Sequence, residues 1–293
     1  MVEFFKTGIL TGFRQWRIAL MVYGFQLLLA ATLGVQVFHV LEASIGNSLE
    51  LDKLLGNYDH TVISDLFNVH GASISPLLGQ LRWLVLIYFV FSIFINGGLL
   101  YAVVHDKRSG LAFWKGGALY YFRFLRLGLF FLLITGIISA LIWLPFLGFF
   151  MNSVEYFSSE KISVWLLCTV LSLYLLILGF LFVWSLVARI KIIGENSRIW
   201  PAIKSGLGWA LRRYFPSTLL VVLFFGLHIL LFFFYWMVYD SSLASIFWLV
   251  FFVLVQQGVA FLRVLVRVMV FGGVRALYAP AGGIQGDQKP PSG

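Results

Sequence analysis

Polar positions in this chain come in short clusters, separated by long apolar runs. Six runs of 20 to 25 residues contain no Asp, Glu, Lys or Arg: 18–40, 84–104, 127–151, 164–187, 218–238 and 243–262. A helix rises about 1.5 Å per residue, so each run is long enough to cross a hydrocarbon core about 30 Å thick. No run shows the two-residue alternation of a half-buried strand. The pattern therefore predicts an all-α polytopic membrane protein with six transmembrane helices.

The polar clusters are patterned as well. Lys-x-Gly-x5-Arg occurs three times, as Lys6/Gly8/Arg14, Lys115/Gly117/Arg123 and Lys204/Gly206/Arg212. Each copy stands just before a pair of apolar runs. At about 100° per residue, Lys6, Arg14 and Arg17 fall within roughly 80° of one another on a helix, and Lys115, Arg123 and Arg126 do the same. Phe5, Phe13, Trp114 and Phe122 flank the charges. Such a helix lies in a membrane interface, rings toward the acyl chains and charges on water or phosphate. The predicted architecture is three repeats of an amphipathic elbow plus two spans. In the third copy Phe215 replaces the second arginine and Pro216 follows, which predicts a sharper elbow there.

Charge gives the orientation. The chain carries 21 Lys and Arg against 12 Asp and Glu. Segments 1–17, 105–126, 188–217 and 263–293 hold 18 of the 21 cations and 4 of the 12 acids. By the positive-inside rule these segments face the cytoplasm, and so do both termini. The basic excess then belongs to topology and to anionic lipid headgroups, not to nucleic acid. Only 11% of residues are charged, well below the roughly 25% of soluble domains. The first run is longer than the 7–15 residues of a signal-peptide core, and a full copy of the repeat precedes it, so it reads as a retained span. Residues 1–278 form one membrane domain in this reading, and the Gly/Pro-rich 279–293 a disordered cytoplasmic tail.

The connection 41–82 is the long one. Asn47 and Glu50 resemble a capping box, and Asp59 can cap a second short helix, which predicts amphipathic helices lying over the outer face. Ser75-Pro76 reads as the N-cap and first residue of the second span.

The stretches GNSLELDKLLGNYDHTVISDLFNVHG (46–71), KTGILTGFRQWRIAL (6–20) and YYFRFLRLGLFF (120–131) resemble a family of six-span inner-membrane proteins associated with Bacteroidota. That resemblance implies a bacterial inner-membrane location and supplies no catalytic residues. The layout of an elbow before each hairpin is also similar to the membrane domain of bacterial glycerophosphodiester phosphodiesterases.

Chemistry-bearing residues are sparse. His228 is an ionisable group at mid-span, with Gln256, Gln257, Ser172 and Ser185 as candidate partners. Asn96, beside Gly97 and Gly98, is another polar point. Pro145 is expected to bend the third span. Arg263 and Arg267 read as snorkelling from the end of the sixth span. Asp59, His60, Asp65 and His70 are outer-loop candidates, but their spacing matches no zinc pattern. Cys168 is the single cysteine, so no intramolecular disulfide forms. No phosphate-binding loop, nucleophile elbow or His-Glu-x-x-His is present, and no cofactor is implied. Three functions remain open. One is a non-catalytic scaffold or lipid-interacting protein with a membrane or envelope partner. Another is a transporter or lipid-moving protein. The third is an enzyme with an outer-face site.

Overall fold

The computed structural model describes residues 1–45, 64, 68, 71–150, 160–239 and 246–282. Among these residues the elements are helices only: α1 (Val2–Arg14), α2 (Trp16–Ile45), α3 (Gly71–Val104), α4 (Gly110–Phe150), α5 (Glu160–Gly194), α6 (Ile199–Arg212), α7 (Tyr214–Tyr239) and α8 (Ile246–Gly282). Six of them, α2, α3, α4, α5, α7 and α8, are long and apolar enough to cross a membrane. The short helices in the 41–82 connection lie outside the described residues, as does most of the tail.

Several helices outrun their apolar windows. α5 continues past residue 187 to Gly194, and α8 past residue 262 to Gly282. Lys and Arg are good helix formers, so a cation marks the end of an apolar run without ending the helix. α3 starts at Gly71, which places Pro76 inside it rather than at its first position. Pro76 is the sixth residue of the helix, beyond its first turn, so it removes one intrahelical hydrogen bond. α4 likewise carries Pro145 and continues to Phe150.

Contacts divide the chain into two compact units, Met1–Ala19 with Ile93–Gly293, and Leu20–Ser92. In the smaller unit α2 meets α3 through Phe25 and Phe91, whose rings stack at 4.4 Å. The larger unit holds a core concentrated at one end of its helices. Leu99 and Leu100 of α3, Leu186, Val187 and Ile190 of α5, and Val268 and Val274 of α8 are almost fully buried there. Phe124 and Leu127 of α4 and Leu220 and Phe224 of α7 join them. Away from that end the apolar side chains are exposed: Leu141 at 68%, Trp165 at 74%, Phe232 at 68%. Water would penalise that much bare hydrocarbon, whereas acyl chains do not.

The buried end is where the three elbow segments lie: α1, the first turns of α4, and α6. α1 breaks from α2 at Gln15, and α6 from α7 at Arg213, both with non-helical backbone. The second elbow does not break; it runs into its span as one helix of 41 residues. The repeated glycine explains how the elbows pack. A Cβ on Gly8 would sit 2.6 Å from the Phe224 ring and 2.7 Å from the Met269 carbonyl oxygen. On Gly117 it would sit 2.6 Å from the Phe94 ring, and on Gly206 3.4 Å from the Ala188 backbone nitrogen. Each elbow thus presses a glycine onto the end of a long helix: α1 on α8, α4 on α3, α6 on α5. Small residues allow the close backbone approach by which helices associate in lipid.

The contacts rank the three alanine substitutions. Gly8→Ala meets a carbonyl that cannot move aside and should cost about 1–3 kcal/mol. Gly117→Ala meets a ring edge and should cost less. Gly206→Ala finds ordinary contact, and should be neutral or stabilise by up to about 1 kcal/mol through helix propensity. Thermal unfolding in detergent checks the order, and equal effects at all three positions would contradict it.

Candidate functional site

Two of the three repeat arginines grip a turn. Arg14 Nη2 donates to Asp106 Oδ2 at 2.6 Å, and Arg123 Nη1 donates to Asn196 Oδ1 at 2.6 Å. Asp106 follows α3 with φ 50°, and Asn196 follows α5 with φ 46°. Asp and Asn tolerate this left-handed conformation better than other side chains. At Asp106 the surrounding bonds form a helix-terminating motif: its N–H reaches the Val103 carbonyl at 3.4 Å, and the Lys107 N–H reaches the Ala102 carbonyl at 3.0 Å. Arg275 of α8 adds a bond to the Val103 carbonyl at 2.6 Å. Arg14 and Arg123 therefore each hold the turn that ends the following hairpin. Both partners of the Arg14–Asp106 pair are half-exposed, so it contributes at most about 1 kcal/mol. Its value is positional.

His105 lies in the same turn, its ring 4.5 Å from that of Tyr101. Burial, then the charges of Lys107 and Arg275, hold its pKa below the ordinary 6.5.

Three arginines line one groove between α4 and α6. Arg123, Arg126 and Arg198 line it together with Phe130 and Trp200, around a volume of about 690 Å³. No carboxylate is among its lining residues. Three features make it receptive to an anion. Arg123 and Arg126 stand three apart on one helix, where like charges repel. Arg198 is the N-cap of α6 and makes no capping bond, and the first turn of α6 has no acid. The positive end of the helix dipole therefore adds to the arginines instead of being offset. Trp200 is 64% exposed and packs at 5.7 Å from Phe130. Beneath it the buried Trp184 donates its indole N–H to the Ile203 carbonyl at 2.9 Å, which fixes α6 against α5. An indole beside guanidinium groups is the composition of a membrane interface.

Other sequence candidates fall as follows. Lys6, Lys115 and Lys204 are exposed. Arg17 lies over the Trp16 ring at 5.7 Å. Arg212 lines a smaller groove of about 400 Å³ with Lys191, Glu195, Trp209 and Tyr278. There the Tyr278 hydroxyl donates to Glu195 at 2.7 Å. His228 and Gln256 do come together, in a groove between α7 and α8 that also includes Arg263. His228 Nδ1 lies 3.2 Å from the Phe224 carbonyl of its own helix, rather than being bound to Ser172 or Ser185. Gln257 is half-buried. Asn96 is elsewhere: its Oδ1 accepts from Arg267 Nη2 at 2.7 Å. Arg267 therefore does not snorkel; an amide acceptor on α3 draws it inward. Asp59, His60, Asp65 and His70 lie outside the described residues. Among the described residues no group of three metal-ligating side chains assembles.

Sequence reasoning missed Arg198 and Trp200, which belong to no repeat. It also missed Asp106 and Asn196 as acceptors. The signal for the latter was a lone Asp or Asn shortly after an apolar run and shortly before the next elbow.

No protein-family model, curated protein or solved structure matches the chain.

The depressed pKa of His105 gives a pH dependence. As pH falls through 6.5, the unfolded chain takes up the proton before the folded one does, so stability falls with pH. Melting temperature in detergent should drop between pH 7 and pH 5.5, and His105→Gln should flatten that drop. The same slope in both proteins would refute the assignment.

Proposed function

We propose that this chain is a non-catalytic integral protein of the bacterial inner membrane that binds anionic lipid headgroups at the cytoplasmic face. In this reading it consists of three repeats of an amphipathic elbow followed by two spans, with both termini in the cytoplasm. The charge asymmetry of the connections supports the orientation. The repeated contact of an elbow glycine with a helix end, and of an elbow arginine with a left-handed turn, supports the repeat. The resemblance to six-span inner-membrane proteins of Bacteroidota is consistent with it.

The observation that carries the functional reading is the groove of Arg123, Arg126 and Arg198. Three guanidinium groups converge there without a carboxylate, beside an exposed indole and an uncapped helix start. A phosphodiester headgroup supplies the missing charge, and its acyl chains lie along Phe130 and Trp200. Arg123 also holds Asn196, so its guanidinium is already oriented when a headgroup arrives. Lys6, Lys115, Lys204 and Arg17 add weaker contacts with the same leaflet, each worth about 1 kcal/mol near an anionic surface. Bound lipid or an envelope partner would then use this face as a scaffold.

Arg126→Gln with Arg198→Gln tests the reading, because both residues are exposed and neither grips a turn. Native mass spectrometry of detergent-purified protein should show the wild type retaining anionic over zwitterionic phospholipid. The double variant should lose about 2 kcal/mol, or about thirtyfold, of that preference. Unchanged retention would exclude the groove as the headgroup site.

A further inference from the structure

The groove between α7 and α8 shares no residue with the arginine groove, yet it poses a similar question. Its volume is about 650 Å³, within the range of ligand sites. Phe225, Phe232 and Val259 form apolar walls, and His228, Tyr235, Gln256 and Arg263 carry the polar groups. Both helices belong to candidate membrane spans. Gln256 and Arg263 are exposed within it. An amide and a guanidinium facing hydrocarbon are costly unless they are satisfied. Arg263 forms no ion pair among the described residues.

We propose that this groove is a lateral binding site for one anionic glycerophospholipid. Charge, spacing and volume select that occupant. Arg263 requires an anion. Gln256 lies seven residues away on the same helix, about 10 Å along its axis. A phospholipid places a phosphate and then ester carbonyls in that order along one molecule. The phosphate sits on Arg263, an ester carbonyl accepts from the Gln256 amide beside His228, and an acyl chain runs between Phe225, Phe232 and Val259. A plain hydrocarbon tail would leave both polar groups unsatisfied. A partner helix spanning the same ten or so residues would fill about 1,200 Å³, nearly twice the groove. His228 keeps its bond to Phe224 and needs no further partner to form the wall. The site deepens the lipid-binding reading but does not depend on the arginine groove.

Photo-crosslinking separates the two sites. The protein is reconstituted with phosphatidylglycerol carrying a photoactivatable group on one acyl chain, or with the phosphatidylcholine equivalent, and labelled peptides are identified. The anionic probe should label 225–235 and 256–263 above other span surfaces. Arg263→Gln should lower that label about fivefold, the loss of about one headgroup contact. Arg263→Lys should retain most of it, and Ala260→Phe, which fills the groove, should remove it. Arg126→Gln/Arg198→Gln should leave this label intact even if it abolishes retention at the other groove. Uniform labelling of all span surfaces would overturn the proposal. So would equal labelling by the zwitterionic probe, or a crosslinked dimer through these peptides in place of lipid adducts.

Discussion

Backbone approach at the elbow glycines is the contact on which the rest of the structure depends. In a bilayer, apolar side chains gain little by leaving lipid for one another, so helices hold together where they fit closely and where polar groups find partners. Gly8, Gly117 and Gly206 provide the fit at three places. Each lets an amphipathic segment lie against the end of a long helix, and each places a cation stripe near that end. The almost fully buried residues gather around these contacts, and the remote parts of the same helices expose their side chains. A bulky residue in place of Gly8 would separate α1 from α8 and remove Arg14 from its turn. The arginine bonds are secondary in energy, but they set register: Arg14 and Arg123 hold the left-handed residues Asp106 and Asn196, and Arg275 satisfies a carbonyl where α3 ends.

That arrangement concentrates positive charge in one region, where an anion finds its partners. The elbows keep their lysines exposed while two of their arginines are partly engaged. Arg198 is added by the start of α6, in the position where an acid would ordinarily offset the helix dipole. The result is a site with surplus charge and an aromatic floor. The groove between α7 and α8 combines the same two ingredients between two candidate membrane spans. Both are consistent with a protein whose ligands come from the membrane.

The sequence revealed the spans because a span must be apolar throughout, and composition alone records that. Helix ends were less legible. α5 and α8 continue through Arg189, Lys191, Arg267 and Arg275, and only tertiary contacts show that these cations face protein. That His228 and Gln256 line one groove was foreseeable, since they are polar residues on adjacent apolar helices, although His228 bonds its own helix instead. Asn96 with Arg267, 171 residues apart, was not. The same distance problem hid the turns that Arg14 and Arg123 hold, 92 and 73 residues away, and left them looking like plain headgroup contacts. The third repeat is imperfect in sequence, and in the fold its Arg212 lies in a groove with Glu195 and Tyr278 instead of gripping a turn.

Because the third copy is the weakest, its packing tests the account most directly. A Cβ on Gly206 would lie 3.5 Å from the Ala188 Cβ, within disulfide range. Cys168 is the only native cysteine, so Cys168→Ser provides a clean background. In that background Ala188→Cys with Gly206→Cys should form an intramolecular disulfide under a membrane-permeant oxidant, in native membranes, before any detergent is added. Failure to crosslink, with both thiols present and reactive to a small maleimide, would show that the third elbow does not lie on α5 and would contradict the account.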